Sequence, residues 1–169
     1  MSGGCALDGP LNKMEDIQEL VAGLTNEDHN YAYQCLNRLE SVCISSNAVY
    51  TYFTTLVEML DDPNSYFRTR AIILIAANAK WDQDGRIDEI IDQYLMHIMD
   101  AKPITARQCV KALPIIAKYK PDLVDCICSA LRQANPKCYK GSMESLVRKD
   151  IQEALKSIEA HKSRFWGGP

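Results

Sequence analysis

The chain has 169 residues, of which 47% are hydrophobic and 24% charged, with a formal net charge of −3. That length fits one domain or one short stack of repeats, and the modest 8 Gly and 7 Pro exclude collagen-like and low-complexity classes. No apolar stretch is long enough to span a bilayer, and the start MSGGCALDGPLNKMED lacks the basic-then-apolar order of a secretory signal, so a cytoplasmic protein is expected.

Residues 1–10 are small and polar and read as a flexible N-terminus. A first helix is expected over about residues 11–22, where Met14, Ile17, Leu20 and Val21 share one face. Thr25 or Asn26 is expected to cap a second helix that turns Tyr31, Cys35, Leu36, Leu39 and Val42 inward. A third follows Ser46, with Val49, Tyr50, Phe53, Leu56, Val57 and Leu60 as its stripe. DDPNS is a turn, and the fourth helix, about residues 66–80, is apolar on most sides and so central.

The fifth helix spans about residues 87–99 and the sixth about 104–118, with Pro114 expected to kink it. Pro121 opens a seventh. QANPKCYKGS is a loop, and a last helix covers about residues 143–161. The domain is thus placed at residues 11–162 and a C-terminal tail, SRFWGGP, at 163–169. Nowhere do apolar and polar residues alternate for long, so the fold class is all-α with about eight helices.

The segment LDDPNSYFRTRAIILIAANAKW at residues 60–81 returns, altered, as IMDAKPITARQCVKALPIIAKY, 38 residues further on. A weaker copy, LTNEDHNYAYQCLNRLESVC, lies 36 residues upstream. A period of this size marks stacked helical pairs, which more often form binding surfaces than catalytic pockets.

MLDDPNSYFRTRA resembles the HEAT-repeat pattern of an apolar helix, an Asp turn and an apolar–Arg–x–x–Ala start. Asp61 or Asp62 falls on its Asp, and Phe67, Arg68 and Ala71 on its apolar, Arg and Ala positions. Asp100 matches in the third copy, where Ala106 and Cys109 replace Arg and Ala; the first copy has Ala32 and Cys35 there. The resemblance implies a short right-handed α–α superhelix of HEAT or armadillo type, with the Arg–Asp pair tying adjacent turns. The whole chain is also similar to small bacterial helical-repeat proteins, some labelled SufBD. An iron–sulfur-assembly role follows from that label alone, because Suf scaffold cores are expected to be strand-rich and this chain is helical.

In such a stack the second, fourth and sixth helices share the concave side. The repeat makes Gln34, Arg70 and Gln108 equivalent, then Asn37, Ile73 and Lys111, with Asn30, Tyr66 and Ile104 before them and Trp81 and Tyr119 at the ends. A non-enzymatic scaffold is expected, binding an extended protein or peptide through Gln34, Arg70, Gln108 and Lys111, with Tyr66 and Tyr119 as packing anchors. Trp81 itself reads as core over a helix end.

Charge is unevenly spread. Residues 1–100 carry 6 Lys/Arg against 16 Asp/Glu, and residues 101–169 carry 13 against 6. This admits self-association through opposite ends, or nucleic-acid binding of the HEAT-like DNA-glycosylase kind through Lys102, Arg107, Lys111, Lys118, Lys120, Lys137, Lys140, Arg148 and Lys149.

Seven cysteines, mostly at helical apolar positions, read as free thiols of a reducing compartment. Cys126 and Cys128 should face different ways, and Cys138, between Lys137 and Lys140, is the candidate reactive thiol. His97 reads as structural, and no metal or cofactor set, phosphate loop or nucleophile elbow is present in the sequence.

Overall fold

The structure is a computed structural model that describes residues 15–165. The expected flexible residues 1–10, the start of the first helix and the last four residues of the tail lie outside that range. Within it the chain is all-α: α1 Glu15–Gly23, α2 His29–Ser45, α3 Phe53–Leu60, α4 Ser65–Ala77, α5 Arg86–Leu95, α6 Pro103–Tyr119, α7 Val124–Gln133 and α8 Ser142–Phe165.

Contacts pair α1 with α2, α3 with α4 and α7 with α8, while α5 reaches α6 through the 3₁₀ turn Met96–Met99. The second members of the pairs touch in the order α2, α4, α6, α8. A bond near the helix starts joins α4 to α6 (Thr69 to Thr105 Oγ1, 2.9 Å), and the segments leading into α8 and α6 are joined by Tyr139 O–H to Asp100 O at 2.6 Å. Bonds at the helix ends join α4 to α2 (Trp81 Nε1 to Cys43 O, 2.7 Å) and α6 to α4 (Lys120 Nζ to Asp82 O, 2.8 Å). These four helices therefore run in one direction, side by side.

The repeat is visible atom by atom in the turns. Asn26, Asp62 and Asp100 each accept, through the side chain, the N–H two residues on: Asp28 at 2.8 Å, Asn64 at 2.8 Å and Lys102 at 2.9 Å. The same bent corner thus precedes α2, α4 and α6, because Asn and Asp carboxamide or carboxylate oxygens mimic a backbone turn. The residue two positions further then caps the helix in the first two copies: Asp28 accepts from Asn30 and Tyr31, and Asn64 from Tyr66. The cap of α2 is therefore Asp28, not Thr25 or Asn26, which shape the turn before it.

Arg68 spans two corners. Its Nη1 donates to the carbonyls of Asp62 and Pro63 at 2.9 and 3.0 Å, and its Nε and Nη2 grip Asp100 at 3.0 and 2.7 Å. Asp100 also takes Nδ1 of buried His97 at 2.7 Å, and its own carbonyl accepts Tyr139 O–H at 2.6 Å. Tyr139 is thus a buried plug, where the sequence suggested only a loop.

Other helix limits shift for local reasons. The third helix opens with a 3₁₀ turn, Val49–Tyr52, before α3. Gly85, at φ 72°, makes the left-handed corner that lets Asp82 cap α5 through the N–H groups of Arg86 and Ile87, both at 2.9 Å. α6 continues through Pro114. α8 runs on to Phe165, so residues expected in the tail are helical.

Candidate functional site

α4 is the central helix, with Ala71, Ile72, Leu74 and Ile75 all fully buried. Its remaining face, Ile73 and Ala77, is half-buried and forms the floor of a groove walled by α2 and α6. One section, about 370 Å³, is lined by Tyr33, Leu36, Asn37, Glu40, Ile73, Ala77, Gln108, Lys111, Ala112 and Ile115. A second, about 580 Å³, shares Asn37, Glu40, Ala77 and Ile115 and continues to Ser41, Ile44, Lys80 and Tyr119. The two form one channel.

Its exposed apolar side chains distinguish it. Tyr33 is 61% exposed, Ile44 71%, Ile115 45% and Tyr119 40%, and all four line this channel. The other large exposed hydrophobics among the described residues (Tyr66, Met96, Ile104 and Phe165) do not line it. A third depression, about 440 Å³ between α1 and α3, is lined by none of these exposed side chains.

The channel also carries the polar side chains Asn37, Glu40, Ser41, Lys80, Gln108 and Lys111. Glu40, half-buried on the α2 wall, makes no hydrogen bond or ion pair among the described residues, and burial pushes its carboxyl above the ordinary value. Lys111 on the α6 wall is exposed and in no ion pair among the described residues. Lys80 is engaged, donating to Ile44 O and lying 4.7 Å from the Trp81 ring centroid. Lys118 covers the Tyr119 ring at 5.2 Å.

The structure gathers only part of the expected concave set. Gln108, Lys111 and Tyr119 line the channel, as does the row Asn37, Ile73 and Lys111. Gln34 is exposed outside the channel lining, and Tyr66 stacks on His29 at 4.2 Å. Arg70 corrects the expectation outright. It is 5% exposed, and its Nη1 donates to Leu24 O at 2.6 Å while Nη2 meets His29 Nδ1 at 3.4 Å. Its guanidinium lies over Tyr66 and Phe67, and burial lowers its pKa. It ties α4 to the α1–α2 turn and is closed to a partner. Among the structural residues, Asp61 accepts Gln93 Nε2 at 2.9 Å, Asp62 shapes the corner, Phe67 is half-buried and Ala71 is core.

Tyr33, Glu40, Ile44 and Ile115 are channel residues that the repeat alignment passes over. On α2 the signal is the pair Tyr33 and Ile44, about three turns apart on the face that also carries Asn37 and Glu40, outside the buried stripe of Ala32, Cys35, Leu36, Leu39 and Cys43; Ile115 lies on α6.

Of the three buried carboxylates among the described residues, Asp150 pairs with Arg107, and Asp82 and Asp100 are saturated. Asp82 takes Tyr50 O–H at 2.6 Å, Lys120 Nζ at 2.8 Å and two backbone N–H groups. For both, burial alone would raise the pKa, but the bonds they accept outweigh it and hold them below the ordinary carboxylate value. The Tyr50 hydroxyl is pushed well up by burial and by Asp82. The His97–Asp100 pair is enclosed, and its carboxylate is taken up by Arg68, His97 Nδ1 and the Lys102 N–H.

Cys35, Cys43, Cys109 and Cys128 are buried thiols, and burial pushes Cys43 up to about 12. Cys126 and Cys138 are exposed. No group of three or more His, Cys, Asp or Glu able to hold a metal occurs among the described residues. No helix of the described residues is long and apolar enough to cross a membrane. Of the nine basic residues that could contact nucleic acid, Arg107, Lys120, Arg148 and Lys149 pair with carboxylates. Among the described residues, the fold and site define an all-α protein of paired helices with an apolar-lined channel between α2 and α6. Compared with protein-family models, curated proteins and solved structures, the chain matches none.

Proposed function

We propose that the chain is a non-enzymatic helical-repeat scaffold that binds a protein segment in the channel between α2 and α6. One observation carries this reading. Four of the large exposed hydrophobics, Tyr33, Ile44, Ile115 and Tyr119, converge on one concave strip. Scattered exposed apolar residues are ordinary, but a contiguous set around a groove marks a contact surface. Asn37, Gln108 and Lys111 supply polar groups at its edge, as recognition sites require.

The test is capture from cell extract by the wild-type chain and by an Ile44→Asp/Ile115→Asp variant, with quantitative mass spectrometry. Both side chains are exposed, so the variant keeps its fold, which circular dichroism verifies. A captured protein should fall at least ~10-fold with the variant, as for removal of an interface anchor. Equal capture by both refutes the site.

A further inference from the structure

The channel runs along its helices, not across them. On α2 its lining residues fall at Tyr33, Asn37, Glu40 and Ile44, and on α6 at Gln108, Lys111, Ile115 and Tyr119. That three-to-four spacing is one face of each helix, so the channel has two parallel helical walls and α4 as floor. From Tyr33 to Ile44 it measures ~16 Å at about 1.5 Å per residue, or three helical turns. Ala77 on the floor and Ala112 on the wall leave room for a backbone to approach.

The two walls differ in charge. Glu40, half-buried, lines the channel with Leu36, Ile44 and Ala77 and forms no ion pair among the described residues, while Lys80 in the same section is bonded to Ile44 O. Lys111, on the opposite wall, is exposed and in no ion pair among the described residues. A carboxylate taken from water without a partner is unfavourable, and a cation brought by an occupant removes that penalty.

Resting on the reading of this channel as a protein-binding site, we propose that its occupant is an amphipathic α-helix of about three turns lying lengthwise between α2 and α6, with a basic residue toward Glu40 and an acidic one toward Lys111. Its apolar residues, at i, i+3 or i+4, and i+7, meet Tyr33, Ile73, Ile115 and Ile44. The opposed charges fix its rotation and direction, since the reverse placement sets like charges together.

The experiment is selection of a phage-displayed library of random 16-residue peptides on the full chain. Enriched peptides are then measured as synthetic peptides against wild type, Glu40→Gln, Glu40→Lys and Ile44→Asp/Ile115→Asp. The expected winners carry apolar residues at helical spacing with one Arg or Lys among them, and become helical when bound. Glu40→Gln should weaken them ~10-fold, as loss of a charge-assisted bond does, and Glu40→Lys should reverse the preference to an acidic residue. Proline-rich or alternating winners, or affinity unchanged in Glu40→Gln, overturn the helix proposal while channel binding stands. Winners that bind Ile44→Asp/Ile115→Asp as well as wild type overturn the channel itself. Glu40→Gln is nearly isosteric and keeps the result readable if Glu40→Lys fails to fold.

Discussion

Replacing Asp100 by Ala removes the group on which two corners converge. Its carboxylate holds Arg68 Nε and Nη2 at 3.0 and 2.7 Å, His97 Nδ1 at 2.7 Å and the Lys102 N–H at 2.9 Å. The side chains of Arg68 and Asp100 are 12% and 3% exposed, so the pair is shielded from water. Breaking a buried pair from one side costs about 3–5 kcal/mol. Arg68 keeps its bonds to the carbonyls of Asp62 and Pro63, which places the loss near the lower end, ~3 kcal/mol. For a chain of this size that corresponds to a fall of roughly 6–12 °C in melting temperature. Thermal and urea unfolding of Asp100→Ala, Arg68→Ala and the double variant measure it. The cycle should show a coupling of at least ~1.5 kcal/mol, within the range for contacting residues. A loss below ~1 kcal/mol for Asp100→Ala, or effects that simply add, refutes the role given to this pair.

Acid should unfold the protein through the same carboxylates. Asp82 and Asp100 have folded-state pKa values below the ordinary one, so the unfolded chain takes up protons first as pH falls. Their contribution is complete above about pH 4 and is lost on further acidification. An Asp82→Asn/Asp100→Asn variant, weaker at neutral pH, should lose less between pH 7 and pH 3 in urea titrations, and an equal loss contradicts the assignment. A Cβ at Gly23 would lie 2.5 Å from Cys35 Sγ and 3.0 Å from Tyr31 Cε1. Gly23→Ala should therefore destabilise by about 1–3 kcal/mol, and adding Cys35→Ala should recover part of that; a wild-type melting curve for Gly23→Ala would contradict the contact. Among the six described cysteines, timed alkylation followed by peptide mapping should modify Cys138 first. Cys126, whose thiol donates to Leu123 O at 3.1 Å and is pushed up by burial, should follow more slowly, with Cys35, Cys43, Cys109 and Cys128 protected. Rapid labelling of Cys109 would show that α6 opens.

Fold class was legible because each helix carries an apolar stripe at helical spacing and no segment alternates. Helix limits were less so. Asn26 looks like a cap in sequence, yet like Asp62 and Asp100 it bends the corner, and the capping passes to Asp28 and Asn64 two residues on. Arg70 was misread because repeat alignment gives position but not depth. Aligned with Gln34 and Gln108, it looked solvent-facing, but a carbonyl at Leu24, far away in the chain, draws it inside. Tyr139 was hidden for the same reason, since its anchor, Asp100 O, is 39 residues away. The channel was half legible. On its α6 wall Gln108, Lys111 and Tyr119 followed from the period and Ile115 did not, while Tyr33, Glu40 and Ile44 required knowing that α2 leaves a second face uncovered.

The corner ties have a direction. Arg68 reaches forward for Asp100, Asp82 waits for Lys120, and the carbonyl of Asp100 waits for Tyr139. A chain made from its N-terminus therefore emerges with each helical hairpin incomplete until the next has left the ribosome. Arrest after α4 would strand a guanidinium, and arrest after α5 would strand a carboxylate. The order of synthesis and the order of consolidation are thus offset by one hairpin throughout.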